Sequence, residues 1–121
     1  QVPKYLRPRT DTPALTIGFG GCFGCIYSVR GAGGYQMFGI TPMPIYDPQQ
    51  KISYLQDFMC LFRPGDILVW KPIDREGYDS IKADVEAGRF TPSMAEVTFD
   101  LDAFERDVDG TNRKLLEALH A

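Results

Sequence analysis

Tyr27, Tyr35 and Gln36 are the side chains whose types and spacing suit the holding of a small polar molecule. Tyr35 and Gln36 are adjacent in a strand-like run, so one packs inward while the other points out. Tyr27, in the preceding apolar run, neighbours one or the other. The three make either a polar wall for an amide- or carboxylate-bearing substrate, or buried tyrosines whose hydroxyls are satisfied internally. The glycine-rich stretch Gly18-Phe-Gly-Gly-Cys-Phe-Gly24 lies just before them. It reads as a ligand-facing loop or as a tight strand connection, and it lacks the Lys-Ser/Thr of a phosphate-binding loop. Lys4, Arg7 and Arg9 form a weak basic cluster that meets an anion or is simply a solvated face.

Other chemistries find little support. His120 is the single histidine and sits beside Ala121, where chain ends fray, which argues against a His-based triad. No Gly-x-Ser-x-Gly elbow occurs. Cys22-Phe-Gly-Cys25 has redox-motif spacing, but it lies between β-rich segments and not at a helix N-terminus. A zinc site needs four ligands, and only Cys60 and His120 remain to complete one. These cysteines are expected to be buried, reduced and structural, and no metal site is expected. Asp74, Glu76 and Asp79 read as the acidic start of a helix.

The elements that position these residues follow from size and pattern. The 121 residues suit one domain with a real but modest core. Hydrophobic residues at 44% place the chain among globular proteins. Neither a run long enough for a transmembrane helix nor a signal-peptide stretch is present, so a cytoplasmic protein without a membrane partner is expected. Residues 1–70 hold six Lys/Arg against four Asp, while residues 71–121 hold seven Lys/Arg against twelve Asp/Glu. That acidic balance argues against nucleic acid as a partner.

Residues 1–13, with Pro3, Pro8 and Pro13, read as an extended arm or linker. Strands are expected at Ala14–Phe19, Cys25–Arg30, Tyr35–Ile40, Ile67–Ile73 and Ala95–Phe99, with Leu55–Leu61 a strand or short helix. Arg63-Pro-Gly-Asp66 suits a type II turn. Asp74 caps a helix running to about Ala87, stopped by Gly88, with Tyr78, Ile81 and Val85 along one face. A helix over Asp100–Asp109 is expected to break at Gly110 and resume over Asn112–Leu119. The division is then an arm at 1–13, a β-barrel domain at 14–99 and a helical segment at 100–121, a mainly β chain with C-terminal helices (α+β).

Gly33–Pro48, with many Pro and Gly in an apolar setting, has the look of a strand and turn of fixed shape. With it, in order, stand Arg9-Thr-Asp-Thr-Pro13, Ile17-Gly-Phe-Gly-Gly21, Ile26-Tyr27, Gly33-Gly-Tyr-Gln-Met-Phe-Gly39, Thr41-Pro42 and Phe62-Arg-Pro-Gly-Asp66. This ordered set resembles the allophanate hydrolase subunit 1 family, which includes the sporulation-kinase inhibitor and the B component of bacterial 5-oxoprolinase. It equally resembles the matching half of the carboxyltransferase domain of urea carboxylase (urea amidolyase). Ala95-Glu-Val-Thr-Phe-Asp100 is similar to the tail that follows this unit in urea carboxylases. Ile40 departs from the family, which often has a basic residue there. Members also carry a preceding subdomain of about a hundred residues, so the chain is expected to be a piece of, or a partner in, something larger.

The resemblance implies a cyclophilin-like β-barrel, without prolyl isomerase activity, and a site shared with a second, homologous half of the allophanate hydrolase subunit 2 type. For a urea carboxylase-type assembly it implies carboxyl transfer from carboxybiotin to urea. Biotin on a carrier and ATP would serve the assembly, with a biotin carboxylase and biotin carrier as partners and no cofactor bound by this chain. Arg9 would then hold a carboxylate. Backbone N–H groups of the Gly20-Gly21 and Gly33-Gly34 loops, with Tyr27, Tyr35 and Gln36, would stabilise oxyanions. The alternatives are a lactam-opening component of the 5-oxoprolinase type and a non-catalytic, kinase-inhibitor-type binding module.

Overall fold

The alternating Thr-Ile-Gly-Phe-Gly run forms the central strand of the larger sheet in the computed structural model, which describes residues 1–120. Five strands are present: β1 (Arg9–Thr12), β2 (Thr16–Gly20), β3 (Phe23–Ile26), β4 (Gly31–Gly33) and β5 (Gln36–Ile40). β2 is paired antiparallel on both sides, in the order β3-β2-β5. β1 pairs antiparallel with β4 in a separate two-stranded sheet. Two compact units result, Gln1–Phe90 and the stretch from Thr91 onward.

The β2–β3 hairpin closes through two residues, since Gly20 opposes Phe23. Gly21 has φ +62°, the left-handed value that a two-residue hairpin needs and glycine adopts freely. Thr16 and Ile17 are buried, and with Leu55 and Thr12 they make a small core. Leu55 ends a short 3-10 turn, Ser53–Leu55, where the sequence left strand and helix open. Beyond it the chain meets Tyr46 through one antiparallel bridge at Cys60. Asp47 organises the intervening loop: its carboxylate accepts the N–H groups of Gln49, Lys51 and Ile52 at 3.0, 2.8 and 2.9 Å. Those bonds, the one from Ile52 foremost, hold its carboxyl below the usual range.

The Arg63–Asp66 turn forms with φ +95° at Gly65, and the Asp66 N–H donates to the Arg63 carbonyl at 3.1 Å. Helix α1 (Arg75–Glu86) is capped by Asp74, whose carboxylate accepts the Gly77 N–H. Tyr78, Ile81 and Val85 are its half-buried side chains.

Several expectations are corrected. Within the extended arm at 1–13, Arg9–Thr12 pairs with Gly31–Gly33. Ile67–Ile73 and Ala95–Phe99 form no strand: no ladder partner lies beside them, and a lone extended segment has nowhere to send its backbone hydrogen bonds. The barrel is not closed among the described residues, since the strands divide into two sheets and β3 and β5 remain the outer strands of the larger one. What stands is a set of small β-sheets followed by C-terminal helices. Cys22, expected to be buried, is exposed at the hairpin tip, and Cys25 and Cys60 are partly exposed; all three are free. In the second unit the break falls three residues before Gly110. Asp107 ends α2 (Leu101–Arg106) and caps α3 (Val108–Ala118) by accepting the Gly110 N–H at 2.9 Å. Gly110 sits in the first turn of α3, so a capping carboxylate outweighs the low helix propensity of glycine.

Candidate functional site

Arg9, Gly20, Tyr27, Gly34, Tyr35 and Gln36 come together around the start of β5, while Gly21 lies at the β2–β3 hairpin tip against Val2. The Arg9 guanidinium reaches from β1 to the Tyr35 carbonyl, with Nη2 donating at 2.7 Å. On the other side of that residue the Tyr35 N–H donates to the Tyr27 hydroxyl at 3.3 Å. Tyr35 is thus held at both backbone groups by side chains from separate segments.

The Tyr35 side chain lies over the β2 glycines. A Cβ on Gly20 would stand 2.7 Å from Tyr35 Cδ1, and one on Gly18 would stand 3.1 Å from Tyr35 Cβ. Any larger residue at Gly20 would therefore push the ring away. Lys4 Nζ lies 6.0 Å from the centroid of the same ring, within cation–π range. Gln36 turns its side chain to the arm, donating from Nε2 to the Pro3 carbonyl at 3.0 Å. Gly21 exchanges two backbone hydrogen bonds with Val2, at 3.0 and 2.5 Å, and the Gly34 carbonyl accepts the Tyr5 N–H at 2.9 Å.

Sequence reasoning missed two residues of this cluster, Thr12 and Tyr5, and took Gly33 for a backbone donor without its packing role. Gly33 is the floor beneath Tyr27 and Thr12: a Cβ there would lie 2.6 Å from the Tyr27 hydroxyl and 2.7 Å from Thr12 Oγ1. Thr12 is fully buried, and its hydroxyl has no partner. Tyr5 stacks on the Arg9 guanidinium, 5.2 Å from ring centroid to Cζ. The signal for Thr12 was at hand in Arg9-Thr-Asp-Thr-Pro13, but its burial depends on β1 pairing with β4, which no local pattern announces. Arg9 Nε is also buried without a partner.

Chemically the cluster offers one guanidinium with an unfilled donor, one buried hydroxyl with nothing bound to it, and a tyrosine hydroxyl that accepts from a backbone amide. These are groups for an acceptor-rich, planar molecule such as a carboxylate or an amide. The nearby Arg30–Asp11 pair is bidentate, at 2.6 and 2.7 Å, but exposed. Its hydrogen bond lowers the Asp11 carboxyl and raises the Arg30 guanidinium. Among the described residues no group of three or more His, Cys, Asp or Glu is placed to hold a metal ion.

Residues 1–55, which carry this whole cluster, match the family described as carboxyltransferase domain, subdomain C and D. Over that stretch the chain is similar to the carboxyltransferase domain family. The carboxyltransferase match extends to full-length relatives. A urea amidolyase from Lachancea kluyveri is 36% identical over 97 residues, which is 80% of this chain but 5% of that protein. The B component of the Bacillus subtilis 5-oxoprolinase is 30% identical over 80 residues, covering 66% of this chain and 31% of that protein. The solved urea carboxylase of Kluyveromyces lactis superposes on 91% of this chain and 10% of its own, with a TM-score of 0.67 and 27% identity. This chain therefore spans less than a third of the length of each of these relatives. No helix among the described residues is long and apolar enough to cross a membrane.

Proposed function

We propose that this chain supplies one half of a composite carboxyltransferase site of the urea carboxylase type, acting on urea or a urea-like amide. The observation that carries this reading is the likeness of 91% of the chain to the urea carboxylase of K. lactis. The unfilled donor of Arg9 and the unpartnered Thr12 hydroxyl support it, since both suit the oxygen atoms of a carboxyl group in transfer. In this reading Arg9 holds a carboxylate oxygen, while Tyr27, Tyr35 and Gln36 orient the amide. Backbone N–H groups around Gly20, Gly21 and Gly34 face the oxyanion that develops as the new C–N bond forms.

A homologous second half, of the allophanate hydrolase subunit 2 type, completes the site. Biotin arrives on a carrier, a biotin carboxylase consumes the ATP, and this chain binds no cofactor of its own. The barrel portion corresponds to residues 14–99 and the helical segment to 100–121, within a cytoplasmic assembly.

A second reading, a lactam-opening part of a 5-oxoprolinase-type enzyme, is favoured by the B. subtilis relative. ATP turnover of the reconstituted assembly, with urea or 5-oxoproline added in turn, separates the two. Stimulation by urea is expected. Stimulation by 5-oxoproline alone selects the second reading, and stimulation by neither contradicts both.

A further inference from the structure

Every contact of Val2–Tyr5 described above falls on the candidate site. Val2 takes both backbone groups of Gly21, Pro3 takes the Gln36 amide, Lys4 covers the Tyr35 ring, and Tyr5 takes the Gly34 carbonyl. The Tyr5 ring also lies on the Arg9 guanidinium. The segment is nevertheless weakly held. Val2 is half-buried, but Pro3, Lys4 and Tyr5 are exposed, Tyr5 by half, and Leu6 is fully exposed, so Val2 is the one apolar anchor of the segment. Hydrogen bonds open to water contribute little each, and segments of this kind open locally without unfolding the rest.

Beneath the segment, Arg9 Nε is buried with no partner. A buried guanidinium donor left unpaired is costly, and the cost is relieved when an acceptor oxygen reaches it. The closed arrangement therefore pairs the Gly21, Gly34 and Gln36 groups with the segment's backbone while leaving Arg9 Nε and the Thr12 hydroxyl without partners.

We propose that Val2–Tyr5 is a displaceable strap that closes this site, and that ligand entry requires its release. The proposal rests on the site reading given above. In the closed state the strap competes as a tethered occupant, with an effective concentration in the millimolar range. The apparent affinity for anything else is lowered by the fraction of molecules that are open. Release exposes the Gly21 N–H, the Gln36 amide and the Arg9 guanidinium together, which suits an extended or carboxylate-bearing occupant.

The test uses the full chain and a fluorescent peptide of sequence Gln-Val-Pro-Lys-Tyr-Leu, identical to residues 1–6. Amide hydrogen exchange should show the Tyr5 and Gly21 amides opening together, about 100-fold faster than those of Ile17 to Phe19. A variant with Val2→Gly, Pro3→Ser, Lys4→Gly and Tyr5→Ser should keep the protection of β2 and bind the peptide. The native chain should bind it at least about 10-fold more weakly. Exchange of the strap amides at the rate of β2 would overturn the proposal. So would loss of β2 protection in the variant, or equal peptide binding by the two chains, including none by either. A variant that binds the peptide, in an assembly that urea does not stimulate, would leave the strap standing and remove the carboxyltransferase reading instead.

Discussion

Arg9 and Tyr35, twenty-six positions apart in sequence, are joined by a 2.7 Å hydrogen bond from guanidinium to backbone carbonyl. That bond ties the two-stranded sheet to the entrance of β5, and with it the polar cluster to the glycines of β2. The same guanidinium is the charged donor on which the proposed chemistry depends.

Removing it should therefore cost stability as well as function. Arg9→Ala is expected to lower the unfolding free energy by about 1.5–3 kcal/mol, the range for a hydrogen bond from a charged donor. Urea denaturation followed by tryptophan fluorescence measures this. A change within error of zero would show that the bond does not brace the fold.

Gly33 tests the close packing under Tyr27. Gly33→Ala places a methyl group within 2.7 Å of Thr12 Oγ1 and of Tyr27 Cε1 and its hydroxyl. An overpacking cost of about 1–3 kcal/mol is expected. Combining it with Tyr27→Phe removes one of the clashing atoms, so the double variant should be more stable than the sum of the two singles implies. Strict additivity would place the strain elsewhere.

Tyr54 should give the fold an alkaline limit. Its hydroxyl donates to the Pro44 carbonyl at 2.8 Å, its ring meets Phe90 edge-on at 5.8 Å, and burial pushes its pKa up to about 12 from 10.0. The folded state thus keeps the proton that the unfolded chain gives up first. This contribution is complete below about pH 10 and fades as the pH climbs toward 12. Tyr54→Phe should be less stable by about 1 kcal/mol near neutrality and should lose less on going to alkaline pH. Parallel alkaline limbs for the two proteins would contradict the assignment.

Asp47 should act in the opposite direction. Its depressed pKa means that its stabilisation is present above the ordinary carboxyl value of 3.8 and is lost as pH falls through the lower folded value. Asp47→Asn should reduce the melting temperature near neutrality and flatten the acid limb. An unchanged acid limb would move the acid sensitivity to other carboxylates.

How far these features could be read from sequence depended on how local their causes are. Asp74, Gly88 and the Arg63–Asp66 turn were legible because each acts within a few residues of itself. The site candidates were named as types and spacings, and the structure gathers Arg9, Gly20, Tyr27 and Gly34 around Tyr35 and Gln36. Their pairing was not legible, because Arg9 meets Tyr35 only after β1 has found β4, and Gly31–Gly33 carries only the Ala32 methyl to announce a strand. Ile67–Ile73 erred the other way: its residues suit a strand, but a strand exists only with a partner. At the α2–α3 joint, Gly110 drew attention as a breaker while Asp107, three residues earlier, supplied the cap that sets the boundary.

The most direct test of the central claim is urea-stimulated ATP turnover in the complete assembly, comparing the native chain with Gln36→Ala. Gln36 has one hydrogen bond, to the exposed strap, so its loss should leave the melting temperature nearly unchanged. The account predicts clear stimulation by urea with the native chain and a loss of about 10-fold or more in the variant. Absence of urea stimulation with every component present would contradict it.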